Sequence, residues 1–321
     1  MEVHLDMQPK IVVITGPTAT GKSHLGVLLA RELGGEIVSA DSMQLYRGMD
    51  IGTAKPTAEE LAAVPHHLID VADPLESWSV SRWTEAADTA CRDILARGAL
   101  PIVVGGTGLY IDSLVQGRSF AGRTEDGGEC RRELEERYEE IGGAAMLREL
   151  AQLDPQRAAK LHARDKKRIV RAYEVYLLTG RTMTEHDEET RRRAPRYDAA
   201  VIALDFAQRE ELYRRIDARV DAMAEAGLFE EVRSLLERGL DAGCTAMQAI
   251  GYKEAALAVR GELTRSEALE LIKRETRRYA KRQLTWLRGR PDIHWIRWDA
   301  EPDFARARRD STIFLAGRGI R

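Results

Sequence analysis

A chain of 321 residues, 44% hydrophobic and 31% charged, is long enough for one large or two ordinary domains and has the make-up of a globular protein. No apolar run reaches the length of a membrane span, and the opening MEVHLDMQPK lacks the basic and apolar regions of a secretory signal. A net charge of −3 excludes a polycation, and three scattered cysteines (Cys91, Cys130, Cys244) without a CxxC pair argue against a disulfide or structural-metal framework, so a reducing cytoplasm is expected.

The residues Ile11 to Thr15 are rich in β-branched side chains and predict a buried strand. They run into Gly16-Pro17-Thr18-Ala19-Thr20-Gly21-Lys22-Ser23, which fits the phosphate-loop pattern G-x-x-x-x-G-K-[ST] at every position. An apolar, helix-prone run from Leu25 to Leu33 follows. Successive N–H groups of such a turn wrap an anion, and the helix N-terminus adds its positive dipole end. Lys22 reaches the outer phosphate oxygens and the Ser23 hydroxyl can ligate Mg²⁺. The motif therefore implies a bound di- or triphosphate.

Glu36 to Ala40 reads as a second strand, ending in Asp41. The polar, irregular stretch Asp41 to Pro56 predicts a loop at the carboxyl edge of the sheet, where open α/β sheets bind ligands. Asp41 is either a turn former or, one strand from a phosphate loop, a functional carboxylate. Thr57 to Leu68 reads as a short helix and turn, and the adjacent His66 and His67 point to different sides and are read as structural. A helix over Ser79 to Arg97 leads to a third strand, Pro101 to Val104, which ends in Gly105-Gly106-Thr107-Gly108-Leu109-Tyr110. Phosphate-loop ATPases usually end such a strand with a Mg²⁺-holding aspartate. Here glycines let a large ligand approach and Thr107 offers a hydroxyl. The strand Ala200 to Leu204, followed by Asp205, keeps the ATPase reading open.

From about Gly117 to Tyr197 the chain is helical and dense in charge, with a loose entry at Gly122–Gly128 and a break at Ala194-Pro195. It reads as a helical insertion (residues 117–197) into an α/β core made of residues 1–116 and 198–321. Within it Lys167 and Arg171 stand four residues apart, with Arg168 beside them, either as a binding face or as a solvated one. A long helix is expected over Gln208 to Arg238, carrying Arg215 and Arg219 one turn apart, and then a turn at Met247 to Glu254. Another helix spans Ser266 to Arg288, and its second half, Lys273 to Trp286, is the most basic stretch, interleaved with Tyr279 and Trp286. That pattern suits either a phosphate-tracking surface with stacking groups or a charged helix with core-facing aromatics. Ile293 to Trp298 suggests a last strand, and beyond Glu301 no pattern is legible.

Taken together, GPTATGKS, DSMQLYRGMDIGTAKP, GGTGLY, RAYEVYLLTGR, QAIGYKE and AKRQLTWLR occur in an order and spacing that resembles the bacterial tRNA dimethylallyltransferases, over nearly the whole chain to about residue 298. Departures are mild: Thr20 stands where serine is commoner, and Gly122–Cys130 is poorer in prolines. The resemblance implies a P-loop-containing parallel-sheet core with flanking helices and an inserted, mostly helical tRNA-binding domain. It implies transfer of a dimethylallyl group from its diphosphate to N6 of the adenosine 3′ of the anticodon, position 37, with Mg²⁺ as cofactor and the tRNA anticodon stem-loop as partner. Asp41 is then the expected general base, Arg219 and Lys22 the cations on the leaving diphosphate, and Thr107 a hydroxyl lining the reaction channel. By the same resemblance Asp41, Ser42, Met43, Gln44, Thr107, Arg131, Lys167, Arg168, Ile169, Val170, Arg171, Gln248, Ala249, Ile250, Gly251, Tyr252, Lys253, Lys281, Arg282 and Gln283 match tRNA-contacting positions. A monomer is expected. The competing readings are an adenylate isopentenyltransferase acting on a free nucleotide, a nucleotide or metabolite kinase, and an RNA-binding NTPase that uses Asp205.

Overall fold

Runs of β-branched and small apolar residues, separated by α-helical segments of 4 to 24 residues, build one parallel sheet in the computed structural model, which describes residues 8–118, 120 and 127–321. The expected loose entry at Gly122–Gly128 falls mostly outside the described residues. The strands are β1 (Lys10–Thr15), β2 (Gly35–Ser39), β3 (His66–His67), β4 (Leu100–Val104), β5 (Asp198–Phe206) and β6 (Ile293–Trp298), in the order β3-β2-β4-β1-β5-β6. Register pairs Val13 with Val103 on one side and with Val201 on the other. Parallel strands need covering on both faces. Accordingly Ile11, Val12, Val13 and Ile14 are all inaccessible, each burial contributing about 1.5–3 kcal/mol.

One face is covered by α1 (Lys22–Leu33) and α14 (Phe304–Gly317), whose Leu25, Leu29 and Leu315 share a cluster with Val12, Ile14 and Ile202. The other face carries α3 (Val80–Ala96), α4 (Gly108–Gln116), α11 (Leu228–Glu237) and α12 (Tyr252–Val259), which pack Trp83, Ile111, Phe229 and Tyr252 in a cluster with Val13, Val103 and Val201. The helices α10 (Arg209–Glu225) and α13 (Arg265–Arg288) run alongside, with α2 (Ala58–Ala63) held by a Thr57–Glu60 capping box.

Three elements differ from expectation. The single helix expected over 208–238 breaks at Gly227, which takes φ 102°, and α11 starts in a new direction. His66 and His67 form an edge strand paired to Ile37 and Val38, and His67 binds Glu36 at 2.7 Å. The segment after Glu301 forms α14, capped by Asp303.

The chain divides into two compact units, Met1–Val115 with Arg196–Arg321, and Gln116–Pro195. The second unit holds α5 (Gly127–Ile141), α6 (Gly143–Leu153), α7 (Pro155–Ala158), α8 (Lys166–Thr179) and α9 (Met183–Arg192) around its own small core of Leu134, Met146, Leu150, Ile169, Val170 and Tyr173. Buried Asp154 ties it further, capping α7 and accepting from Thr184 N at 3.0 Å.

Candidate active site

β1 delivers the chain into the phosphate loop, and the loop delivers it into α1. The helix N-cap, Gly21, makes no side-chain cap bond, so the first-turn N–H groups face outward toward any anion. Gly21 is required twice over: its φ is 86°, and a Cβ there would meet the Phe304 ring of α14 at 2.5 Å. The loop is braced from inside. The Thr20 hydroxyl and Lys22 Nζ both donate to the Pro17 carbonyl, at 2.8 and 2.7 Å. Thr20 is wholly buried, so its side chain shapes the loop and does not reach a ligand. Trp298 of β6 donates to the Thr20 carbonyl at 3.0 Å.

A second brace comes from α13. Gln283 Oε1 accepts from Thr18 N at 3.1 Å while its Nε2 donates to the Gly106 carbonyl at 3.0 Å, tying the phosphate loop to the turn after β4. Both ends of this buried amide are spent on the protein.

Asp41 follows β2. Its Oδ1 accepts from Met43 N at 2.9 Å and from Gln44 N at 3.4 Å, an Asx turn that fixes the carboxylate from one side. Oδ2 has no hydrogen-bond partner among the described residues. Gln44 steadies the loop further: its Oε1 accepts from the Ser39 hydroxyl at 3.0 Å, and its Nε2 donates to the Thr53 and Ala54 carbonyls at 3.3 and 3.2 Å. The Thr107 hydroxyl accepts from Ser42 N at 3.3 Å. Lys55 is the loop's buried ion, donating to the Tyr46 carbonyl at 2.7 Å and pairing with Asp50 and Asp70.

Two cavities meet at this carboxylate. One, of about 280 Å³, lies over the phosphate loop and takes in Lys22, Ser23, Gly105 and Gly106. The other, of about 260 Å³, is walled by Ile216, Val220, Met223 and Ile250. Thr18, Asp41, Thr53, Arg219 and Tyr279 line both.

The charge balance favours an anion. Burial, then the nearby Arg219 charge, pushes Lys22 down to about 7, with Asp41 pulling the other way. Burial also lowers the Arg219 pKa, again opposed by Asp41. Arg219 has no ion-pair partner within 4 Å among the described residues. Arg219 and a Lys22 that is only about half charged at neutral pH thus face one carboxylate in a partly dry site, and an anionic ligand would favour the charged lysine. Tyr279 is pushed up to about 12 by burial and then by the Asp41 charge, so its phenol stays protonated at neutral pH. For Mg²⁺ the available donors are the Ser23 hydroxyl and the Asp41 carboxylate, hard oxygens of the kind it takes together with substrate phosphates. No group of three or more His, Cys, Asp or Glu side chains that could hold a metal occurs among the described residues.

The expected site residues separate into groups. Thr18, Ala19, Gly21, Lys22, Ser23, Asp41, Ser42, Met43, Gln44 and Arg219 line one or both cavities, and Gln248, Ala249, Ile250, Gly251 and Arg282 line the apolar one. Of the other expected residues, Gly16, Pro17 and Thr20 shape the loop from within, and Thr107 stands behind Ser42 N. Lys253 and Lys281 are exposed nearby in sequence, and Arg282 lies 5.5 Å from the Tyr279 ring centroid. The side chain of Tyr252 is in the core and its hydroxyl donates to Glu231 at 2.6 Å. In the second unit Arg131, Lys167 and Arg168 are exposed and Arg171 pairs with Glu174 at 2.6 Å. Ile169 and Val170 are core residues there, because α8 turns that face inward, so neither side chain can meet a nucleic acid. Gln283, expected on tRNA, is the buried brace described above.

Trp286 packs its ring over Gly108 and against the core, with Nε1 donating to Asp112 at 2.8 Å, as the core-facing alternative expected. Asp205, the carboxylate an ATPase would need, accepts from its own neighbour Phe206 N at 2.8 Å and lines neither cavity. The residues that sequence reasoning missed are Tyr279 as a wall of the site, Thr53 and Glu231. Tyr279 carried a signal as an aromatic within a basic helix, and Thr53 as part of the Asp41–Pro56 loop; Glu231 carried none.

Comparison with known proteins identifies the family. The family model for IPP transferases matches residues 44–290, and that for isopentenyl transferases matches residues 9–76. A tRNA dimethylallyltransferase of Pelobacter propionicus is 50% identical over 290 residues, covering 90% of this chain and 93% of the relative. The crystal structure of the tRNA isopentenylpyrophosphate transferase from Bacillus halodurans matches with TM-score 0.72 and 42% identity, over 97% of both chains. A eukaryotic dimethylallyltransferase seen acting on tRNA matches with TM-score 0.79 and 30% identity, over 98% of this chain and 81% of the other. A phosphate loop, a poised aspartate and this likeness over almost the full length place the chain in the tRNA dimethylallyltransferase family, whose members are prenyl-transferring enzymes.

Proposed function

We propose that the chain transfers a dimethylallyl group from dimethylallyl diphosphate to N6 of adenosine 37 in tRNA, releasing diphosphate. The observation that carries the proposal is the meeting of a phosphate-loop cavity and an apolar cavity at one carboxylate, Asp41, whose Oδ2 is open. The diphosphate would lie on the loop amides and the apolar wall would take the five-carbon chain. As the C1–N6 bond forms and the C1–O bond breaks, negative charge moves onto diphosphate. Lys22, Arg219 and the α1 N-terminus are arranged to receive it. An exocyclic adenine amine is a weak nucleophile because its lone pair is delocalised into the ring. Asp41 Oδ2 accepts its proton, help worth roughly 10²–10⁴-fold. Mg²⁺, held by Ser23 with phosphate oxygens, would supply further charge neutralisation on the leaving group. The Tyr279 phenol keeps the wall shared by the two cavities neutral.

A base stacked in an anticodon loop cannot reach such a cavity, so the adenosine must be flipped out. The exposed cations Arg131, Lys167 and Arg168, with Arg171, would hold tRNA phosphates. No helix among the described residues is long and apolar enough to cross a membrane. A tRNA acceptor and three scattered cysteines support a cytoplasmic reaction. The test offers labelled dimethylallyl diphosphate or ATP together with tRNA or AMP. Label passing from dimethylallyl diphosphate to tRNA is expected. Transfer to AMP, or ATP hydrolysis stimulated by RNA without transfer, would replace this reading with one of its rivals.

A further inference from the structure

We propose that Glu231 is a positioning residue for the transfer reaction, holding the 50–53 segment so that the loop keeps Asp41 aimed at the acceptor. The inference rests on the reading of Asp41 as the base. Four donors converge on this one carboxylate. Oε2 accepts from Asp50 N at 2.8 Å and Ile51 N at 2.9 Å, and Oε1 from Gly52 N at 3.3 Å and the Tyr252 hydroxyl at 2.6 Å. Three consecutive backbone amides around an anion form a nest, and hydrogen bonds to a charged acceptor are roughly twice as strong as neutral ones.

The geometry also explains two sequence blocks at once. Gly52 admits no side chain, because a Cβ would meet the Tyr252 ring at 2.4 Å and Leu228 at 2.9 Å. The DIGT stretch of the loop, the GYKE turn that opens α12 and the first turns of α11 therefore close on one another, with Glu231 as the ion between them. The break at Gly227 makes this possible by starting α11 beside the loop.

From the nest the path to the base is short. Residue 53 follows the nest directly and lines both cavities. The carbonyls of Thr53 and Ala54 are gripped by Gln44 Nε2, and Gln44 N in turn rests on Asp41 Oδ1. The loop has an independent anchor in Lys55, bound to the Tyr46 carbonyl, Asp50 and Asp70. Loss of Glu231 should therefore loosen the cavity wall without unfolding the loop. A misplacement of about 1 Å at a reacting group costs on the order of 10²-fold in rate.

The test compares wild type with Glu231→Gln and Tyr252→Phe by steady-state transfer kinetics and by amide hydrogen exchange. Glu231→Gln keeps one acceptor oxygen and gives up two of the four bonds. It should lower kcat by about 10- to 100-fold, leave KM for dimethylallyl diphosphate within about twofold because the phosphate loop is untouched, and speed exchange at residues 50–52 while β1 stays protected. Tyr252→Phe removes one bond only and should give a smaller loss of the same kind, which keeps the proposal open to test if the first variant folds poorly. Faster exchange at 50–52 with kcat retained would overturn the proposal, as would an unchanged exchange rate. Failure of wild type to modify tRNA would instead overturn the functional reading, while the exchange arm still reports on Glu231.

Discussion

Lys22 shows how a motif residue acquires its chemistry from tertiary surroundings. Its pKa falls to about 7 through burial and the neighbouring Arg219. A lysine with a depressed folded pKa binds fewer protons than the unfolded chain between about 7 and its ordinary 10.5, so stability rises with pH across that window. The cost is full below about 7 and gone above 10.5. An incoming diphosphate reverses the shift. At pH 8 the free site holds Lys22 mostly neutral, so diphosphate binding should take up a proton that a Lys22→Met variant does not. Calorimetry in two buffers of different ionisation heat reads this directly, and equal uptake by the two proteins would contradict it. The loop glycines and Lys22 are legible in sequence because their roles are local: a positive φ, an approach to an anion, a fixed reach from a helix N-terminus. Tyr279 and Glu231 are not, since their partners Asp41 and Asp50–Gly52 lie more than 170 residues away in the chain.

At the scale of elements, the phosphate loop is stiffened by parts that come late in the chain. Gln283 of α13 and Trp298 of β6 hold Thr18 N and the Thr20 carbonyl, and Phe304 of α14 closes on Gly21. Gln283→Ala leaves the Thr18 N–H and the Gly106 carbonyl without partners. Each orphaned group costs about 1–3 kcal/mol, so the melting temperature should fall and KM for dimethylallyl diphosphate should rise. A variant with unchanged donor KM would show that the brace does not shape the loop. Strand and helix positions are largely readable from periodicity, the 208–238 span excepted. There the apolar stripe continues through Val220 and Phe229, and only Gly227 marks the turn. The helix after Glu301 is hidden because its burial rests on a few residues, Ala307, Ser311 and Leu315, in an otherwise charged segment. Gln283 is deceptive for a related reason. In sequence it belongs to a basic run, and only the fold shows that its face of α13 turns inward.

For the whole molecule, the parallel sheet is expected from the family resemblance, and the change of composition near 117 and 197 points to a helical insertion. The strand order is not readable, because nothing local says that β4 lies between β2 and β1. The cations of the helical unit give a clear expectation. Replacing Lys167, Arg168 and Arg171 together by alanine should flatten the salt dependence of tRNA binding, by about 0.7–0.9 in log–log slope for each phosphate that is no longer neutralised. An unchanged slope would return that cluster to an ordinary solvated face.

The account as a whole stands on Asp41 drawing a proton from an RNA base beside a loop-bound diphosphate. The most direct measurement is single-turnover prenyl transfer by Asp41→Ala, paired with its tRNA affinity. The account predicts a loss of at least about 10²-fold in the transfer rate with tRNA binding nearly intact. A transfer rate within tenfold of wild type would contradict it.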